Sequence, residues 1–161
     1  MRFPRSFAVA AVSVLALTIF VWAQTRKAGL WKTTSTMTWE QSPFPGGMDA
    51  MGAPRTTEVC VTQEQIDKYG TVPPQTRGDC QVTNLNKTDH GMSAVIECSG
   101  RMQGKGTVEA SWTDDTHSTS KVHFVGVMQM GPNSKPFEWS IESSSVFEST
   151  DCGSVKPIKT E

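Results

Sequence analysis

The sequence predicts a mainly β domain, an antiparallel meander of about seven strands with one short helix. Three observations carry this prediction. Apolar and polar residues alternate with a period of two through most of the chain after residue 28. The alternating runs are punctuated by many of the 13 Gly and 9 Pro, the residues that turns between short strands demand. Only 19% of residues are charged, and the remaining polarity is largely Ser, Thr, Gln and Asn, which suits sheet surfaces better than a helical bundle.

The length of 161 residues fits one domain. With 15 Lys+Arg against 16 Asp+Glu the formal charge is −1. A protein that binds by neutralising phosphates carries a basic excess, so no nucleic acid partner is expected.

The first strand is 29–39, with Trp31, Thr33, Ser35, Met37 and Trp39 on one face and Lys32, Thr34, Thr36 and Thr38 on the other. Residues 41–54, rich in Pro, Gly and Met, read as a flexible loop or a flap over one end of the sheet. Residues 55–61 form the second strand. Thr62 and Gln65 then match a capping box, and Gly70 offers a stop, so a helix is expected over Gln63–Tyr69. Seven residues are too few for a stable isolated helix, so it must dock on the sheet.

Strands 80–87 and 92–98 flank the turn signal Thr88-Asp89-His90-Gly91. Strand 105–112 ends before Asp114-Asp115. Strand 119–130 carries Val122, Phe124, Met128 and Met130 on one face and turns at Gly131-Pro132-Asn133. In strand 137–147, Phe137, Trp139, Ile141 and Phe147 share a face opposite Glu138, Ser140 and Glu142. A sheet with one greasy face covers it by curving onto itself, which also removes its edges. The expected architecture is therefore a small lipocalin-like (calycin-like) barrel, with a two-layer sandwich as the alternative. The domain is expected over 24–152, followed by a loose tail at 153–161.

Residues 1–23 have the layout of a secretory signal peptide. Arg2 and Arg5 precede an apolar stretch from Phe7 to Val21, and Val21 and Ala23 sit at −3 and −1 of a cleavage after Ala23. The alternative is an uncleaved anchor, but the apolar run is short of the ~20 residues that span a bilayer. No membrane span is expected once the signal is removed.

Cys60, Cys80, Cys98 and Cys152 all lie in the exported part. An even count in an oxidising compartment implies two disulfides. No CxxC pair occurs, so the spacing supports neither a zinc knuckle nor a redox site. Of the three possible connectivities, Cys60–Cys80 with Cys98–Cys152 is favoured: the first closes the segment between two strands, and the second tethers the C-terminus.

Candidate functional residues fall into two sets. Trp31, Trp39, Trp112, Phe124 and Trp139 would point largely to one side, either lining a cavity for a small apolar ligand or simply filling the core. Met48 and Met51 lie three positions apart on the 41–54 loop, and thioethers are soft ligands suited to Cu(I). His90, His117 and His123 form no HxH or HExxH pattern, no GxSxG elbow occurs, and Ser143-Ser144-Ser145 reads as a polar strand segment. No catalytic residue and no cofactor are expected.

Gly29-Leu30-Trp31, the Pro/Gly/Met loop at 43–54, Cys60-Val61-Thr62-Gln63-Glu64, Asp79-Cys80-Gln81-Val82, Glu97-Cys98-Ser99-Gly100 and Gly104-Lys105-Gly106-Thr107 follow one another in fixed order. In that order they resemble the bacterial exported family known as domain of unknown function 3617, from about Gly29 to Cys152. The last strand departs from the family pattern in being acidic and Ser-rich, and a tail extends past Cys152. The resemblance implies a periplasmic or secreted protein and no particular activity. The reading is a non-enzymatic exported domain whose partner is a small apolar ligand or an envelope protein. The alternative is periplasmic copper handling through methionines.

Overall fold

A computed structural model describes residues 26–44, 52–76 and 78–159. The chain runs through β1 (Gly29–Gln41), β2 (Arg55–Val61), α1 (Gln63–Tyr69), β3 (Cys80–Lys87), β4 (Gly91–Ser99), β5 (Met102–Ser111), β6 (His117–Met130) and β7 (Asn133–Ser149). All seven strands join one antiparallel sheet in the order β2-β1-β7-β6-β5-β4-β3. Segment 1–23 lies outside the described residues. Among the described residues no helix is long and apolar enough to cross a membrane.

Alternation builds this sheet. β7 pairs with β1 from Leu30↔Ser149 to Gln41↔Glu138, and with β6 from His117↔Val146 to Met130↔Asn133. In those registers Trp39 lies opposite Trp139, which lies opposite Phe124. Directly opposed residues share a face, so the aromatic residues of three strands gather on one side.

The expected barrel does not close. β2 and β3 are the two edges of the sheet although they follow one another in sequence. The connection between them contains α1, which therefore crosses the open seam. Its Ile66 packs with Trp31, Val59 and Val61. Its Tyr69 packs in the cluster that holds Met92 and Trp112. The helix ends are fixed as the sequence predicts. Thr62 Oγ1 accepts from the Gln65 N–H at 3.2 Å, and Gln65 Oε1 accepts from the Thr62 N–H at 3.0 Å. Gly70 stops the helix at φ 73°, and a Cβ there would meet the Trp112 ring at 2.4 Å. Only glycine satisfies both the backbone and the contact.

The core has two parts. The larger contains Met92, Ile96, Val108, Trp112, Phe124 and Phe137. The smaller contains Trp31, Val59, Val61 and Ile66. On β1 and β7 a run of hydroxyls separates them: Thr33 bonds Ser145 at 2.9 Å, and Ser35 bonds Ser143 at 2.8 Å. Arg26 joins the two parts. It is only 4% exposed, and its guanidinium lies 4.6 Å from the Trp31 ring and 5.4 Å from the Trp112 ring. Its Nη1 donates to the carbonyls of Asp114 and His117, each at 2.7 Å. Burial pulls its pKa down to about 10, against the opposing pull of Asp114 and Asp115. The group therefore stays charged at neutral pH and is held by carbonyl dipoles and ring faces.

Two expectations are corrected. The disulfides are Cys60–Cys152 and Cys80–Cys98, not Cys60–Cys80 and Cys98–Cys152. Cys80 and Cys98 are register partners on β3 and β4, whereas Cys60 and Cys80 belong to opposite edges of the sheet. The tail after Cys152 is also not loose over its described residues. Pro157 bridges to Cys60, the Ile158 side chain packs into the smaller core, and Gln65 Nε2 donates to the Ile158 carbonyl at 2.6 Å.

Removing either disulfide should lower stability unequally. The loop closed by Cys60–Cys152 separates its cysteines by 92 positions and that of Cys80–Cys98 by 18. Loop-closure entropy then gives losses of roughly 4–5 and roughly 3 kcal/mol. Denaturant unfolding of the two double Cys→Ala variants checks the order. Arg26→Lys should cost about 1–3 kcal/mol in the same assay, because an ammonium cannot stack between two rings while bonding two carbonyls. Arg26→Ala should cost more. A neutral result for Arg26→Lys would remove the joining role.

Candidate functional site

The candidate residues do not form one ring around a void. Trp31 is fully buried in the smaller core, its indole N–H donating to the Lys27 carbonyl at 3.0 Å and its ring edge-on to Phe147 at 5.6 Å. Trp112 is buried in the larger core, with its N–H on the Asp89 carbonyl at 2.7 Å. Phe124 is 1% exposed and sandwiched, stacked on Phe137 at 5.7 Å and on Trp139 at 5.4 Å. These three side chains are packing elements.

Trp39 and Trp139 differ. They face each other across β1 and β7 and are only partly buried. Trp39 meets Phe137 edge-on at 6.3 Å. Its Nε1 is buried and has no hydrogen-bond partner among the described residues. The other two buried indoles both donate to carbonyls, as buried donors normally do. Trp31 and Trp39 are eight positions apart, about 26 Å along an extended strand, while the seven residues of α1 reach about 10 Å. The helix beside Trp31 thus leaves the Trp39–Trp139 end of the face uncapped by helix. Met37, Ile141, Val122, Met102 and Met128 share this face, all partly buried. The site is an aromatic and thioether surface over a buried indole N–H that has no partner among the described residues.

Methionines otherwise serve packing. Met92 is 4% exposed in the larger core, and Met102 and Met128 pack against that core from adjacent strands. Met48 and Met51 lie outside the described residues. Among the described residues no three His, Cys, Asp or Glu side chains converge as a metal site. His117 Nδ1 lies 3.1 Å from Asp114 on a turn, and His123 Nε2 lies 2.9 Å from Glu138 Oε1 on the opposite face from Phe124. Asp114 accepts from the Thr116 backbone and hydroxyl and from His117, which holds its carboxyl well below the usual range. Those bonds shape the turn whose carbonyls hold Arg26.

A concavity of about 650 Å³ does exist, but on the wet face of the sheet. Thr34, Thr119 and Ser144 line it together with Glu109, Lys121 and Glu142. Sequence reading missed it because a row of short hydroxyls across three strands has no signature along any one strand. Thr34 and Thr119 each oppose Ser144 only after β1 and β6 have docked on β7. Arg26 was missed as well: it precedes the first strand and gives no periodic signal.

A family model described as protein of unknown function, DUF3617, matches residues 26–152. No curated protein and no solved structure matches the chain. The matched span runs from the buried guanidinium at Arg26 to the tethering cysteine at Cys152 and includes every strand and both disulfides. The chain belongs to the DUF3617 family of proteins of unknown function.

Proposed function

We propose that this protein is a non-enzymatic, exported binding domain that takes a small apolar ligand on the Trp39–Trp139 end of its apolar face. The observation that supports it best is the partly exposed tryptophan pair beside an indole N–H with no partner among the described residues. A buried donor left unpaired costs about 1–3 kcal/mol. Because that N–H is buried, a ligand reaches it only when the Trp39 side chain turns; one that supplies an acceptor there would recover the cost while the rings and Met side chains cover its apolar body. The preferred ligand class is therefore mainly apolar with a single carbonyl, ether or hydroxyl oxygen.

Two disulfides, no free cysteine among the described residues and no membrane-crossing helix among them are consistent with a non-cytoplasmic protein. The basic and apolar start of the sequence makes the periplasm or the exterior the proposed destination, with cleavage after Ala23. N-terminal sequencing of the exported protein should begin at Gln24. Recovery of Met1 in the exported form would refute cleavage.

6-Propionyl-2-dimethylaminonaphthalene, a mainly apolar probe with a single carbonyl oxygen, should bind saturably and quench tryptophan emission. Trp139→Ala should abolish that binding at a stability cost below the ~3–5 kcal/mol of a fully packed aromatic. Phe124→Ala should incur that full cost. Absence of saturable binding to the parent protein, with Trp139→Ala as damaging as Phe124→Ala, would leave Trp39 and Trp139 as core residues only.

A further inference from the structure

The β2 edge carries a second surface, independent of the tryptophan pair. In the β1–β2 register Leu30 opposes Cys60, Lys32 opposes Glu58 and Thr34 opposes Thr56. The Cys60 carbonyl accepts from the Ile158 N–H at 3.4 Å, so it points away from β1. Backbone direction alternates along a strand. The N–H and C=O groups of Glu58 and Thr56 therefore point to the same outer edge, and among the described residues β2 is the last strand on that side of the sheet. Arg55–Glu58 are exposed.

The chain's own tail occupies one end of this edge. Pro157 bridges to Cys60 in parallel orientation. Gln65 Nε2, from a side chain only 5% exposed, donates to the Ile158 carbonyl at 2.6 Å. The Ile158 side chain enters the cluster of Trp31, Val59, Val61 and Ile66. These features together make a receiving groove: an open strand edge, a buried amide that reads a main-chain carbonyl, and an apolar pocket for one aliphatic side chain. Recognition by strand addition combines the same parts. The tail uses the groove incompletely. A turn at 153–154, closed by the Val155 N–H on the Cys152 carbonyl at 3.0 Å, carries it away from Glu58 and Thr56.

We propose that the groove between α1 and the free edge of β2 docks an extended peptide segment of a partner polypeptide bearing an aliphatic residue, and that this chain's tail fills its apolar end in cis. The tail is held there by one long backbone bond, one side-chain bond and one aliphatic residue, so a longer extended segment can displace it. Such a segment runs parallel to β2. It places its aliphatic residue where Ile158 sits and adds main-chain bonds at Glu58 and Thr56. The Cys60–Cys152 bond keeps the displaced tail nearby as a competitor.

The test uses isotope-labelled chain ending at Gly153, which retains all four cysteines, and a synthetic peptide of residues 154–161. Saturable amide shifts should appear at Thr56–Cys60 and at Gln65 and Ile66. The full chain should bind the peptide at least ~10-fold more weakly, because its own tail competes at high effective concentration. A peptide carrying Ile158→Asp should lose at least ~10-fold in affinity, about 1.4 kcal/mol. A nine-residue peptide of 153–161 with Thr-Val-Thr-Val at 153–156 should bind at least ~10-fold more tightly than the native 153–161 sequence, since it can follow the edge to Thr56. If the shortened chain fails to fold, the full chain with Ile158→Asp takes its place and should bind the native peptide. Absence of saturable shifts in the folded variant used overturns the proposal. So does equal binding of the native and Ile158→Asp peptides.

Discussion

The fold depends on how an open sheet is closed without backbone pairing. β2 and β3 are consecutive in the chain yet form opposite edges, so the link between them must cross the open seam. α1 makes that crossing. Ile66 belongs to the core under β1 and β2, and Tyr69 to the core that includes β4 and β5 residues. The capping box, the left-handed Gly70 and the close approach of Gly70 to Trp112 fix where the helix begins and ends. Without that registration the apolar faces of the two edges would lose their shared cover.

Arg26 completes the same closure from the N-terminal side. A buried guanidinium is costly unless its charge is matched by dipoles or ring faces. Here the cost is offset by the two carbonyls of the 114–117 turn and by Trp31 and Trp112. Asp114 builds that turn through its bonds to Thr116 and His117. The turn, the first residues before β1 and both core clusters are thus one mechanical unit. The Trp39–Trp139 end lies beyond the reach of α1, so the helix covers only one end of the apolar face.

Much of this was legible in the sequence because much of it is local. Alternation located seven strands, the Thr62–Gln65 pair marked the helix start, and Gly70 marked its end. The same alternation puts Trp39 and Trp139 on the apolar faces of their strands, in one set with Trp31, Trp112 and Phe124. The rest is non-local. The disulfide partners depend on which strands become edges, and β2 and β3 look like neighbours along the chain. The tail's docking depends on a pocket formed by Trp31, Val61 and Ile66, residues more than 90 positions before it. The buried state of Trp31, Trp112 and Phe124 follows from seam closure and ring stacking across strands. Arg26 reads as an ordinary surface charge until Trp31 of β1 and Trp112, just past β5, are brought to its faces.

The disulfide topology also sets an order of events for a chain delivered N-terminus first. Cys60 and Cys80 emerge before either native partner, and the bond between them is the first one oxidation can make. It is non-native, because it would link strands that end up on opposite edges. Cys98 emerges next and can claim Cys80 as soon as the β3–β4 hairpin forms. Cys60 must wait for Cys152, which emerges only after β7 has passed. β1 has the same wait for its pairing with β7. An early 60–80 bond would hold the two edges together and block both events, so correct maturation requires slow oxidation or an exchange of that bond. The sheet's open seam is in this sense a kinetic as well as a spatial feature: Cys60 must stay available until the last strand has passed.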